Sequence, residues 1–339
     1  MLLFALFSLL PILASAVNIT TYVDVQLAPA QLPPSAAAKN ADAIVSAFAN
    51  LSRNTKWNLV QNITLEGDIG EPEGMVRIGD DRIIIAWGDW IVPTKSYGKD
   101  VHGNSIIKDG TDRENGQGYA HLSIFDGTGK RLADTTLNEL SDSEYHIGGI
   151  DYDGECLWTE LSEYRPNSTA TIIRVNPYTY QFDPVVHIND HSGGVLHDTK
   201  QNTITALNWG SRNATKYTLD SEDLWRAHES KIPNPSFFAD YQDCKWLGYP
   251  SQFDGERSTA LCAGVAAYSI KDSTVSLGGL AIIDVDTMVP LMEVPITLYT
   301  PIGTSMTQNP IDVDVVDGRM RLYFAPDQYN GTVYVYEAL

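Results

Sequence analysis

The sequence predicts an all-β chain folded as one β-propeller, with five blades, on three observations. Short stretches of alternating apolar and polar residues follow one another between Gly- and Asp-containing turns, and helical periodicity is nearly absent. A glycine-centred motif recurs at Gly74, Gly149, Gly194 and Gly248, with Asp312 in the same place, at intervals of 75, 45, 54 and 64 residues. Each recurrence opens a unit of about four strands, the sequence signature of a propeller blade. Finally, the last unit supplies only three strands, while Trp57-Asn-Leu-Val-Gln-Asn-Ile-Thr-Leu65 is a spare strand ahead of the first. That strand is expected to complete the last blade and close the ring. Six blades remain an alternative if the 75-residue interval hides a degenerate unit.

Taken in order, residues 1–16 form a Leu/Phe-rich run ending Ala14-Ser15-Ala16, which reads as a secretory signal peptide too short to span a bilayer. Residues 17–56 carry the helix-breaking pair Pro33-Pro34, then Ser35 as a candidate cap. Ile44, Phe48 and Leu51 follow at helical spacing. An extended arm and one short helix on the rim are expected there. The propeller occupies 57–339, its hairpins marked by Gly79-Asp-Asp81, Asp126-Gly-Thr-Gly129, Asp153-Gly154, Asp254-Gly255 and Asp317-Gly318.

With 43 acidic against 23 basic residues the net charge is −20, and no run of Lys or Arg offers a phosphate-binding stripe. Nucleic acid and anionic membrane are therefore poor partners, and a monomer that is secreted and extracellular is expected. Six Asn-x-Ser/Thr sequons (Asn18, Asn50, Asn62, Asn167, Asn213, Asn330) fit a glycoprotein. Of the three cysteines, Cys244 and Cys262 flank the Asp254-Gly255 turn almost symmetrically and are expected to form a disulfide, leaving Cys156 buried and free.

In a propeller the innermost strand of each blade starts on the face where the second strand ends. Residues three places ahead of the repeat position should therefore ring the channel mouth: Glu71, His146, His191, Lys245 and Asn309, with Glu73 beside the first. Second-strand ends add Trp87, Asp89, Trp90, Glu160, Glu163, Tyr164, Arg165, Asn208, Trp209, Arg212 and Asp327. An insertion from Asp89 to Gly118, with Asp100, His102, Asp109, Asp112 and Glu114, should lie over the same face.

Two chemistries and a bland reading compete for the histidines. Glu73, His146, His191 and Asn309 suit one divalent metal ion with an open position. Alternatively His146 or His191 takes a proton while Tyr164 returns one. Arg165 and Arg212 would then clamp a carboxylate, Glu163 would lie beside them, and Trp87, Trp90 or Trp209 would stack on a sugar. In the bland reading both imidazoles merely satisfy neighbouring loops. No nucleophile elbow, Walker loop, dinucleotide fingerprint or His-Glu-x-x-His is present.

Tyr145-His-Ile-Gly-Gly-Ile-Asp-Tyr-Asp-Gly with Glu163-Tyr-Arg-Pro-Asn-Ser168, followed by His191-Ser-Gly-Gly-Val-Leu-His-Asp198 with Asn208-Trp-Gly-Ser-Arg212, resembles a family of secreted propeller-like proteins of fungi and bacteria classed as a domain of unknown function. The resemblance implies the fold and export, and transfers no catalytic residue. By analogy of fold alone, propellers include glycoside hydrolases, uronate-directed lyases and lactonases with an axial metal. The expectation is an enzyme acting on an acidic saccharide or small carboxylate by β-elimination or hydrolysis. The alternative is a non-catalytic propeller that binds a sugar, another small molecule or a partner.

Overall fold

Each repeat folds as a four-stranded antiparallel meander, and five of them close into a ring. The computed structural model describes residues 18–21, 40–222, 224–228, 230–270, 273–329 and 331–339. The signal-peptide expectation, Ser35 and the sequon at Asn330 lie outside these residues. Blade 1 comprises Glu71–Arg77, Arg82–Val92, Gln117–Asp126 and Arg131–Thr136, with Asn18–Thr21 added on its outer edge. Blade 2 has a broken inner strand, His146–Ile147 and Asp151–Tyr152, followed by Leu157–Ser162, Ala170–Val175 and Phe182–Ile188. Blade 3 runs Gly194–Asp198, Thr203–Leu207 and Asn213–Leu219, its outer position shared by Trp225–Ala227 and Ile232–Pro233. Blade 4 is Tyr241–Gly248, Thr259–Ile270, Ser273–Asp284 and Pro290–Ile296. Blade 5 is Ile311–Val316, Arg319–Phe324 and Thr332–Ala338, completed from the other end of the chain by Trp57–Thr64.

Ring closure is visible in the core as well as in the ladders. Five apolar clusters among the described residues each join one pair of neighbouring blades, the fifth linking Ile63 and Val333 of blade 5 to Met75 and Ile85 of blade 1. Every blade thus buries both faces, as a twisted sheet with two apolar faces requires. The helix α1 (Ala41–Ala49) inserts Ile44, Val45 and Phe48 into the blade 4–blade 5 cluster. Asn40 is its N-cap and makes no side-chain cap bond.

Turn chemistry follows the sequence. Asp317 and Gly318 both have positive φ between the paired Val316 and Arg319, the type I′ geometry that two-residue hairpins favour. Cys244 and Cys262 are direct cross-strand partners and form the disulfide, and a register shift between Trp246 and Gly248 brings them into line. Cys156 is free, and half-buried where a buried thiol is expected. Asn50, Asn62 and Asn167 are exposed, Asn213 is half-buried, and Asn18 lies on the added edge strand of blade 1. No helix among the described residues is long and apolar enough to cross a membrane.

The central channel is plugged by charge. Asp243 accepts the backbone N–H groups of Met75 and Ile311 from two other blades and pairs with Lys245 at 2.7 Å. The Lys245 ammonium donates to the Ile150 carbonyl at 2.5 Å, while Asp151 accepts from the Trp246 amide and Asp312 from the Arg77 amide. Aspartates on inner strands therefore satisfy backbone donors that no ladder reaches. Lys245 belongs to this plug and not to the mouth. Gly248, used to align it, sits at the far end of its strand with φ of +89°, so the alignment fails in blade 4. Gly74 does mark a close approach, since a Cβ there would meet the Ile150 nitrogen at 2.5 Å.

Candidate active site

Above the plug a cavity of about 250 Å³ opens on the mouth face, lined by Glu71, Glu73, His146, Tyr164, His191, Asn208, Trp209, Asp240, Gln242, Gln308 and Asn309 among others. Inner-strand starts deliver the acids and histidines. Second-strand ends deliver Tyr164, Asn208 and Trp209. His146 and His191 lie side by side, ring centroids 5.6 Å apart, as their shared repeat position implies.

Both imidazoles are only 4% exposed, and burial holds His146 down to about 4 and His191 to about 3. They are neutral at ordinary pH. Nδ1 of His191 lies 2.8 Å from the Glu163 carbonyl, which can only accept, so the ring carries its proton there and leaves Nε2 as a free base beside Gly193. His146 Nε2 meets Glu73 Oε1 at 3.4 Å, and its Nδ1 has no partner among the described residues. Burial pushes Glu73 up to about 8, so at neutral pH this contact joins a protonated carboxyl to a neutral imidazole. Glu71 is raised to about 7 by burial and by Glu73 and is held by Trp90 and Gln328.

Beneath them Glu160 is 0% exposed, and among the described residues both its oxygens lack a well-formed hydrogen bond. Burial, Glu73 and Asp243 drive its carboxyl well above the usual range, against a weak opposing effect of the Gly148 amide. Gly148 is required at this point, because a Cβ would meet the Gly193 backbone carbonyl at 2.7 Å as well as the Glu160 carboxyl.

Aromatic rings form one wall. Tyr164 packs between Trp90 (4.3 Å) and Trp209 (5.3 Å) and stacks on His146 (4.5 Å), while Trp209 meets His191 edge-on at 4.7 Å. Burial and nearby carboxyls raise the Tyr164 phenol, which stays protonated. The insertion from Asp89 to Gly118 reaches this wall through Arg113, whose guanidinium lies 4.6 Å over Trp209. It is fastened by Tyr145 to the Asn115 carbonyl (2.5 Å) and by Asn167 to the Gly110 carbonyl (2.9 Å).

The remaining expected site residues fall elsewhere. Trp87 is buried between blades 5 and 1, stacked on His121 at 4.1 Å with its indole N–H on Ser123. Arg165 is held by the Glu163 carboxylate at 2.5 Å, and Glu163 serves His191 through its carbonyl without lining the cavity. Arg212 is exposed, and the charge it faces is Asp240. His102 is exposed in the insertion, its amide on Asp100. Sequence reasoning missed Arg113, Asp240, Gln242 and Gln308. Only the Asp112-Arg-Glu114 triplet of the insertion hinted at the first. Glu73, His146, His191 and Asn309 all line the cavity, yet among the described residues no three His, Cys, Asp or Glu side chains gather as a metal's ligand set.

A sequence profile described as a family of unknown function, DUF6454, matches residues 29–339. No curated protein matches the chain. Among solved structures, the luciferin-regenerating enzyme superposes with a TM-score of 0.43 at 10% identity, covering 84% of this chain and 95% of that one. A gluconolactonase-like protein gives 0.44 at 11% identity, with 86% and 95% covered. A DUF4623 family protein from Bacteroides eggerthii gives 0.40 at 7% identity, with 83% and 60% covered.

Proposed function

The chain belongs to the DUF6454 family, and from its own site we propose that the channel mouth is an acid–base site that hydrolyses an uncharged saccharide. The observation that carries this is the protonated Glu73 beside the neutral His146 at 3.4 Å, with a second free imidazole base next to them. A carboxyl that keeps its proton at neutral pH beside neutral imidazoles supplies both an acid and a base, which proton transfer at the two ends of a scissile bond needs.

The lining names the substrate class. Asn208, Gln242, Gln308 and Asn309 are carboxamides that both donate and accept, matching hydroxyl groups, and Trp209 offers an apolar face. An anionic substrate suits the site poorly, because Arg165 and Arg212 are drawn to acids and the carboxyls of Glu71 and Asp240 line the cavity. Hydrolysis is thereby favoured over β-elimination, which needs a clamped and neutralised carboxylate. In the proposed step a water loses a proton to His191 Nε2 and bonds the anomeric carbon, while the carbon–oxygen bond to the leaving group breaks and Glu73 protonates that oxygen. Tyr164 and Arg113 orient the sugar. The protons exchange back through solvent. The Cys244–Cys262 bridge supports work in an oxidising compartment outside the cytosol, where a glycosylated monomer would meet such substrates.

The experiment is release of reducing ends from a panel of neutral oligosaccharides, compared between the wild type and Glu73→Gln. Turnover that falls by roughly 10²–10⁴ in the variant supports the reading. Calorimetric binding without turnover would assign the site to a glycan-binding module instead, and neither binding nor turnover would sink both.

A further inference from the structure

The two middle strands of blade 4, Thr259–Ile270 and Ser273–Asp284, are twelve residues each and outrun their neighbours. Their partner Tyr241–Gly248 starts opposite Gly264, and Pro290–Ile296 ends opposite Gly278. Because the inner strand starts at the mouth, the excess hairpin rises above the mouth face. Residues two apart share a face of a strand, and the register pairs Tyr268 with Val275 and Ala266 with Leu277. The same face, one step down, holds Gly264 and Gly279, where Phe238 packs so closely that a Cβ on Gly279 would meet its ring at 2.3 Å. Above that covered level the apolar column is partly exposed. Tyr268 is 42% exposed, Val275 44% and Leu277 39%, and Phe237, with its ring 6.3 Å from Tyr268, is 56% exposed.

This wall is continuous with the cavity. Phe237 and Phe238 lead directly into Asp240, Tyr241 and Gln242, which line it, and the Asp240 carbonyl takes the Val265 amide at the hairpin's base. A strand pair that leaves two rings and two aliphatic side chains about half-exposed beside a polar pocket gives up burial that a polar substitution would not forfeit. We propose that this wall is a set of outer subsites for a saccharide chain, so that the substrate is an oligo- or polysaccharide whose end enters the cavity while its following units lie along Tyr268, Phe237, Val275 and Leu277. The inference rests on the proposed function. Sugar rings present flat C–H faces that pack on aromatic and aliphatic surfaces, and the wall carries no charged side chain among these four, in keeping with an uncharged ligand.

The test is kcat/KM, or calorimetric affinity of Glu73→Gln, over neutral oligosaccharides of one to six units. Rising values with chain length are expected for the wild type. Tyr268→Ala and Phe237→Ala should each lower the longest chains by roughly 3- to 10-fold and leave the shortest unchanged. Both side chains are surface-exposed, and an unchanged melting point confirms that the fold is kept. Short sugars turned over with no gain from length would overturn the subsites and spare the catalytic site. Absence of binding and turnover at every length would overturn both. A dimer that Tyr268→Ala dissociates, seen by sedimentation, would give the wall to a second copy of the chain and overturn the proposal.

Discussion

The most informative atom in the site is the proton on Glu73, because its position follows from burial and has consequences in two kinds of experiment. Activity requires that proton and also requires neutral histidines. The rate should therefore rise as pH passes about 3 to 4, where His191 and then its neighbour His146 lose their protons, and fall again near 8, where Glu73 loses its own. A profile flat across either limb would remove Glu73 or the imidazoles from the chemistry. Stability carries a related signature. Glu71 (about 7) and Glu73 (about 8) hold protons in the folded chain that the unfolded chain releases near the ordinary carboxyl values, so folding weakens as pH climbs through that window. His146 and His191 act in reverse, since the unfolded chain binds protons below about 6.5 that the folded chain refuses, so stability also falls as pH drops towards 4 and 3. Denaturation midpoints should peak in mildly acidic buffer, and Glu73→Gln should blunt the alkaline decline. At this scale the sequence disclosed the histidine pair, Tyr164 and Trp209, because they flank a repeated glycine motif. It could not place Trp87, which is three residues from Trp90 on one strand and so points to the opposite face. Arg113 was beyond reach for another reason: it arrives on an irregular insertion whose path no periodicity encodes.

Hairpins and their cross-links were legible wherever turn chemistry and register agree. Asp317-Gly318 has the sequence of a type I′ turn and adopts its backbone. The Cys244–Cys262 pairing follows from the same reasoning, with a bulge supplying the one-residue adjustment that a strict count leaves open. Replacing both cysteines by alanine should lower unfolding free energy by about 3 kcal/mol in the chain-entropy picture of an 18-residue separation, measured by urea titration. A loss below about 1 kcal/mol would mean that residual structure already holds these strands together in the unfolded chain. Lys245 shows where such reasoning stops. Glycine marks a close approach in Gly74 and a left-handed strand end in Gly248, and the letter alone does not distinguish them. With the reference glycine misplaced, a plug lysine was set at the mouth. Lys245→Met should cost about 3–5 kcal/mol, because it strands the buried Asp243 carboxylate among Asp151 and Glu160. Pairing it with Asp243→Asn should recover part of that loss.

A ring made of sheets has no hydrophobic core of its own at the centre; it is held by contacts between neighbours, and here each of the five contacts is an apolar cluster shared by two blades. Opening one contact therefore exposes two sheet faces at once. The closing strand Trp57–Thr64 is the covalent means of preventing this, since it makes the first propeller segment of the chain the last strand of blade 5, with partners from Thr332 to Ala338. This arrangement was readable from sequence because it is a matter of counting: four units supply four strands each, one supplies three, and one strand is left over. The α1 segment strengthens the other seam of blade 5, burying Ile44, Val45 and Phe48 between blades 4 and 5. Two truncations separate these contributions from the peripheral strand Asn18–Thr21, which among the described residues pairs with the outer strand of blade 1. Removing 17–40 should leave a cooperative transition shifted by a few degrees, because α1 and the closing strand remain. Removing 17–66 strips the blade 5 edge and uncovers the seam, and it should yield a chain with no cooperative thermal transition by circular dichroism. A 67–339 fragment that melted as sharply as the intact protein would show that four complete blades and one three-stranded blade close without the velcro strand, and the ring's stability would then have to reside in the charged plug and the four remaining seams.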